Sequence, residues 1–342
     1  MPKTLITGGA GFIGCNTASR LIERGHQVVI VDNCSRHGTE TNVAWLRTCG
    51  DFVHEKLDIR DAAAMAEVFA RHADTDHVIH LAAQVAVTTS VTDPREDFEI
   101  NALGSFNVLE GIRLNGLKPI VLYSSTNKVY GGMETISVCE RNGRYEYEHL
   151  TGGVDEEALL DFHSPYGCSK GAADQYVRDY CRIYDIPSVV LRQSCIYGCR
   201  QFGIEDQGWV AWFTIACALG KQLTIYGDGK QVRDVLYVED LVDCYQAVID
   251  NIDQTRGRIY NIGGGPQNQM SLLELLSFLE EFFGRKIDVK YSDWRPGDQP
   301  VFVCNIDKAK ADFGWTPKTD VRAGVKILHD WVVANKELFD HI

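Results

Sequence analysis

A tyrosine and a lysine stand at i and i+4 in Ser164-Pro-Tyr166-Gly-Cys-Ser-Lys170. On a helix that spacing puts both side chains on one face, one turn apart. An ammonium beside a phenol favours the phenolate and should lower the pKa of Tyr166. A phenolate available near neutral pH can take a proton from a sugar hydroxyl. The spacing is common by chance, so its weight depends on its surroundings. Upstream, Tyr123-Ser-Ser-Thr126-Asn-Lys-Val-Tyr130-Gly places Ser124, Ser125 and Thr126 at the end of an apolar run. Such hydroxyls can bond an alcohol that is losing hydride, or only satisfy nearby backbone groups.

The start of the chain can hold a hydride acceptor. In Lys3-Thr-Leu-Ile-Thr-Gly8-Gly-Ala-Gly11-Phe12-Ile13-Gly14 an apolar strand enters a glycine turn, and a helix follows to about Arg24. Gly9, Gly11 and Gly14 satisfy G-x-G-x-x-G, and Gly8, Gly11 and Gly14 give the wider spacing. Glycine permits the tight turn and the approach of a pyrophosphate, and the helix start offers free N–H groups to that anion. A second strand ends at Asp32, where a carboxylate bonds the adenosine ribose and repels a 2′-phosphate. The expected cofactor is therefore NAD rather than NADP. Asn33, Ser35 and Arg36 follow in the same loop and are expected along the cofactor, and the charge of Arg36 is the feature that speaks for a phosphate.

Strands are expected at 4–7, 27–31, 52–56, 77–81, 119–123 and 187–192, with helices between them, including 62–72, 101–115 and 165–184. This is the rhythm of a Rossmann-type α/β fold, a doubly wound parallel sheet covered on both faces. Residues 131–163 break the rhythm. They read as a flap near the substrate or as a surface insertion, with a short helix at 155–160. Beyond Arg192 a helix is expected at 208–219, a turn, strand and helix start at 226–240, and a helix at 271–283 with Ser271 and Glu274 as a capping box. These pieces form a smaller, interleaved C-terminal lobe over the strand ends. The expected division is a cofactor domain of 1–191 and 232–262, and a substrate lobe of 192–231 and 263–342.

Composition narrows the partners. The chain has 342 residues, 45% hydrophobic and 24% charged, with a formal net charge of −13. That balance disfavours nucleic acid and anionic membranes, and an anionic substrate then needs a local basic pocket. No apolar run is long enough to span a bilayer, and the first strand leaves no room for a secretory leader. The 11 cysteines lack a C-x-x-C pair, and Cys195-Ile-Tyr-Gly-Cys199 has no matching second pair, so no metal is expected. Reduced thiols in a cytoplasmic protein is the simple reading.

Together these segments resemble the extended short-chain dehydrogenase/reductase family, the nucleotide-sugar epimerases and dehydratases. The resemblance spans nearly the whole chain. It is carried by the glycine loop, Asp32, Asp58-Ile59, His80-Leu81-Ala82-Ala83-Gln84, Asn101, Ser-Ser-Thr-Asn-Lys-Val-Tyr-Gly, Tyr166/Lys170, Gly-Lys-Gln-Val-Arg233-Asp and Arg295-Pro-Gly-Asp298. It implies Thr126, Tyr166 and Lys170 as catalytic residues, with Tyr166 as acid/base and Lys170 on the nicotinamide ribose. Asp58 and Ile59 would meet the adenine. Leu81, Ala82, Ala83, Gln84, Asn101 and Ser124 would follow the cofactor. Arg233 and Arg295, with Asp298, would hold the nucleotide diphosphate by bidentate contacts. Helices 101–115 and 165–184 match the family's dimer-forming pair, implying a homodimer or homotetramer.

The dehydratases of this family carry an Asp-Glu pair after the catalytic threonine, where this chain has Asn127-Lys128. The strings around Thr126 and Tyr166, with Asp206-Gln207-Gly-Trp209-Val, are similar to the subgroup of CDP-paratose 2-epimerases. That subgroup implies NAD-dependent inversion at C2 of a CDP-sugar, CDP-paratose to CDP-tyvelose, feeding bacterial surface glycans. The alternatives are a nucleotide-sugar 4-epimerase with the same catalytic set, or a non-catalytic NAD-binding regulator. Asn127, Lys128, Ser194, Gln201 and Gln207 are expected in the sugar pocket. His163 would touch the sugar, tune Tyr166 or only brace the insertion. Trp209 and Trp212 would stack on a base or pack in the core.

Overall fold

The computed structural model describes residues 1–295 and 298–339. Seven short runs rich in Val, Ile and Leu form one all-parallel sheet: β1 (Lys3–Thr7), β2 (Gln27–Val31), β3 (Val53–Glu55), β4 (His77–His80), β5 (Ile120–Thr126), β6 (Ser188–Gln193) and β7 (Ile259–Ile262). Their order is β7-β6-β5-β4-β1-β2-β3. The chain winds outward from β1 to β3, crosses back to β4 and winds the other way. The switch point lies between β1 and β4, and a cleft opens there at the carboxyl ends of the strands.

Both faces of the sheet are covered, so neighbouring residues in a strand serve different cores. Ile6, Ile30, Ile79 and Leu122 face α1 (Phe12–Glu23) and α2 (Thr39–Cys49). Leu5, Val29, Val78 and Val121 face α3 (Ala62–Arg71), α4 (Gly104–Leu114) and α5 (Pro165–Tyr184). A single π-helical turn, Glu99–Leu103, leads into α4 where one regular helix was expected. The first core is completed by α6 (Val238–Asp250) and by Ala309, Phe313 and Trp315.

The smaller lobe has its own core. Helices Trp209–Ala218, Leu272–Phe283 and Val321–Ala334 pack against short strands there. The Ser271–Glu274 capping box forms as expected, with both reciprocal bonds made. The strand Val232–Tyr237, expected with the cofactor domain, pairs instead with Cys195–Tyr197, Gln269–Ser271 and Val301–Phe302. The chain thus enters the second sheet at 232 and returns to the first core with α6.

The insertion is not a flap over the cleft. It folds a hairpin, Val138–Arg141 with Arg144–Tyr147, and has no helix at 155–160. Tyr147 and Val154 are buried with Val301, Phe302 and Val303. The Tyr147 hydroxyl donates to the Val301 carbonyl at 3.1 Å, that of Tyr145 to Asp228 at 2.7 Å, and Arg144 pairs with Glu274 at 3.3 Å. Apolar anchors inside a polar stretch strap the segment to the smaller lobe.

Candidate active site

The helix α5 begins where Ser164 accepts a hydrogen bond from the Gly167 N–H at 3.0 Å, with Pro165 in the first turn. That start buries Tyr166 and Lys170 on the face turned to β5. Strand β5 runs past the expected residue 123 to Thr126, so the threonine sits on the strand's carboxyl end. Tyr166, Lys170, Ser124 and Thr126 all line one cavity of about 410 Å³ at the switch point.

The same cavity runs along the glycine loop. Gly8 has φ +70° and packs on the chain after β4, where a Cβ would come within 2.7 Å of the Ala82 nitrogen. Gly11 caps α1 without a side chain, and no acid occupies the first turn. The first N–H groups of α1, at Phe12 and Ile13, stay open to an anion. The Asp32 carboxylate is fixed by the N–H groups of Ala10 (3.0 Å) and Cys34 (2.8 Å), and burial raises its pKa. Asn33, Ser35, Arg36, Asp58 and Ile59 line the far end, and Leu81, Ala82 and Ala83 line the middle. Asp58 also accepts from Asn33 at 2.9 Å and pairs with Arg60, which holds its carboxyl low. A glycine cradle, an open helix start and a fixed acid at the end of the second strand fit an NAD molecule running to the nicotinamide end at Tyr166.

Several expected residues lie elsewhere. Gln84 and Asn101 are not on the cavity wall. The Asn101 amide donates to the Gln84 carbonyl, Asp97 and Ser169, and the Gln84 side chain bonds Asp97 and Ala86. Both brace the turn behind Lys170. His163 is exposed, bonded to Asp161 at 2.9 Å, and holds the insertion rather than facing the cavity. Arg233 and Asp298 form a 2.5 Å ion pair set back from the cavity wall. Arg295 lies over the Tyr226 ring at 4.0 Å and pairs with Asp206 at 3.0 Å. The intervening Pro296 and Gly297 lie outside the described residues.

Asn127, Lys128, Ser194, Gln201 and Gln207 do line the cavity. Trp209 lines it too while packing edge-on against Phe213, and Trp212 packs in the lobe core. Asn42, Cys195 and Arg200 are wall residues that the motifs did not indicate. Asn42 sits in α2 with its amide on the Ala10 carbonyl and its Oδ1 buried without a partner among the described residues. An unpaired buried acceptor on a cavity wall is visible only once α2 has packed.

The electrostatics differ from the expectation drawn from spacing. The Lys170 ammonium donates to the Ser124 carbonyl at 2.6 Å and lies over the Tyr123 ring. Burial draws its pKa down to about 7. Burial likewise pushes the Tyr166 phenol up to about 12, with a hydrogen bond to Thr126 and the charge of Arg36 pulling the other way. Desolvation sets the direction, and the lowering influences come from Thr126 and Arg36 rather than from the lysine that the i, i+4 spacing suggested.

Residues 4–263 match the model of the NAD dependent epimerase/dehydratase family. The chain belongs to that family. It is 44% identical over 336 residues to the CDP-paratose 2-epimerase of Salmonella typhi, covering 96% of this chain and 98% of that one. It is 33% identical to a putative UDP-glucose 4-epimerase of Methanocaldococcus jannaschii, over 97% of this chain and 98% of that one. Among solved structures, the UDP-glucose 4-epimerase of Thermotoga maritima with UDP-glucose superposes with a TM-score of 0.84 at 30% identity, covering 98% of this chain and 99% of that one. The family is NAD-dependent, and Tyr166, Lys170 and Thr126 line the same cavity as the glycine loop and Asp32.

Proposed function

We propose that the protein is an isomerase that inverts C2 of a CDP-sugar, CDP-paratose to CDP-tyvelose, with NAD as a resident cofactor. The observation that carries this is end-to-end identity of 44% to a CDP-paratose 2-epimerase. Asn127-Lys128 in the wall beside Thr126 agrees with it, since these two residues stand where the family's dehydratases carry an Asp-Glu pair.

In a CDP-3,6-dideoxyhexose, C2 has no neighbouring carbonyl and its hydrogen is not acidic. Inversion therefore requires oxidation at C2 itself. NAD, when bound, supplies the hydride acceptor and returns the hydride. The phenol oxygen of Tyr166 is the base for the C2 hydroxyl proton, and it gives that proton back after the sugar has turned. The Thr126 hydroxyl orients the same alcohol and bonds Tyr166. Lys170, held by the Ser124 carbonyl, keeps a donor at the ribose end of the cavity. Arg233 and Arg295, the diphosphate partners that the resemblance implies, are each paired with an acid, Asp298 and Asp206, and stand off the cavity wall.

The deciding experiment is an NMR assay of purified protein with CDP-paratose in deuterated water and no added NAD. C2 inversion without deuterium uptake is the expected result. Deuterium at C2 would sink direct hydride return. Inversion only at C4, in a UDP-sugar control, would move the assignment to the 4-epimerases.

Helices α4 and α5 expose Leu114, Tyr176, Ile183 and Tyr184, an apolar face suited to a second copy of the chain. We infer a homodimer or larger on that face, and light scattering that returned a monomer mass at micromolar concentration would refute it. Among the described residues no helix is long and apolar enough to cross a membrane. A cytoplasmic location is the reading consistent with the free thiols.

A further inference from the structure

With C2 as the inverted carbon, the reading on which this proposal rests, the substrate's diphosphate lies close to the catalytic residues. C1 carries the phosphate, and C2 is the next ring atom. A sugar presenting C4 instead holds its diphosphate across the ring. An anion brought that near to Thr126 and Tyr166 needs a cation in the same wall, the more so in a chain of net charge −13.

Lys128 stands at that place. It lies on the 3-10 turn Asn127–Tyr130, two residues beyond Thr126, and lines the same cavity as Tyr166 and Lys170. Its backbone N–H donates to Thr126 Oγ1 at 3.2 Å, which ties the lysine to the catalytic hydroxyl. Its ammonium makes one long hydrogen bond, to Gln299 Oε1 at 3.3 Å, and has no ion-pair partner among the described residues. An ammonium carries three donors. The nearby carboxylate, Asp298, is bonded to Arg233 at 2.5 Å. Arg233 therefore takes that carboxylate, which reaches Lys128 only through its field. Gln299 cannot turn to follow Lys128, because its amide is bonded to the Gly131 carbonyl.

We propose that Lys128 binds the phosphate on C1 of the substrate, and so sets the sugar with C2, not C4, at Tyr166. The chemistry recognised is a pyrophosphate whose sugar-linked phosphate sits beside the reacting carbon. The groups facing the Lys128 amine are Arg233 and Asp298 from the smaller lobe, Cys195 on the cavity wall and the neutral Gln299. Burial first and Arg233 second hold the amine at about 8. A phosphate adjacent to it favours the ammonium.

The test is titration calorimetry of the full-length protein with CMP and with CDP, in wild type, Lys128→Met and Lys128→Arg. The methionine variant should bind CDP on the order of tenfold or more weakly, the size of one charge-assisted hydrogen bond. CMP affinity should stay put, and the arginine variant should recover most of the loss. In wild type, which needs no substitution, CDP binding should weaken as pH rises through about 8, where the ammonium is lost. The arginine variant should not show that decline. A CDP-to-CMP affinity ratio unchanged by Lys128→Met, or a wild-type ratio flat from pH 7 to 9, overturns the proposal. So does C2 inversion by the methionine variant at an unchanged KM. The nucleotide ratios do not depend on which carbon is inverted, so a wild-type protein that fails the C2 assay would cost the C2 reading separately.

Discussion

The Lys170 ammonium and the Ser124 carbonyl are 2.6 Å apart, and that bond anchors the lysine to the strand end that carries Thr126. The Tyr166 phenol, one helical turn before it, is pushed by burial up to about 12. Tyr166→Phe removes the only proton carrier proposed at C2 and leaves the ring packing intact. It should lower kcat on the order of 10²–10⁴-fold and leave NAD affinity within a few-fold. Turnover by NMR and cofactor titration by fluorescence check the two halves.

Thr126, by a hydrogen bond to Tyr166, opposes the upward push of burial more than the charge of Arg36 does. The phenolate is the basic form, and removal of that bond raises the pKa further. Thr126→Val should therefore shift the rising limb of the kcat/KM profile to higher pH, and lower the rate at neutral pH by roughly the factor of 10² expected for one acid–base partner. Thr126→Ser keeps the hydroxyl and should keep the limb in place. A valine variant with the wild-type profile would show that Thr126 acts only on packing.

Much of the fold and site is legible from residue types. The glycine cradle, Asp32 at the strand end and the Ser271–Glu274 box are local, and local physics decides them. The insertion does not read as a strap because its anchors, Tyr147 and Val154, are isolated apolar residues in a polar segment, and isolated residues show no period. Gln84 and Asn101 lie beside cavity residues in sequence, yet their amides face Asp97 and Ser169. Which way an amide turns is decided by the partner it meets in three dimensions. The direction of the Tyr166 shift is hidden for the same reason. Spacing shows a neighbouring charge but not the depth of burial around it.

A buried ion pair stiffens the same strand end. Asp174 is fully buried on α5, one turn beyond Lys170, and accepts from Arg192 at 2.9 and 3.2 Å and from Ser125 at 2.8 Å. Arg192 also meets the Tyr130 hydroxyl at 3.0 Å, which donates to Asn261 at 2.7 Å. Asp174→Leu leaves a guanidinium buried without its carboxylate and should cost about 3–5 kcal/mol. Replacing both partners with apolar residues should recover a large part of that. Urea midpoints of the single and double variants measure the difference.

The acid stability of the protein should carry the mark of His80. Its ring lies fully buried between β1 and α4, 2.5 Å from Thr7 Oγ1 and 2.8 Å from Ser105 Oγ. Burial, with the charge of Lys170, depresses its pKa from 6.5 to about 3. Between those values the unfolded chain takes up a proton at this residue and the folded chain does not. Unfolding is therefore favoured as pH falls through that window, by up to about 1.4 kcal/mol per pH unit from this group. His80→Gln keeps an amide able to bond both hydroxyls and has nothing to titrate. At pH 7.5 the variant should be the less stable protein, because the flexible amide replaces a rigid ring in a packed site. The gap should close as pH is lowered toward 4, since only the wild type loses the histidine contribution while carboxylates act on both. Urea midpoints at four pH values give the comparison, and a gap that stayed constant would mean that the His80 ring is protonated or wet in the folded state.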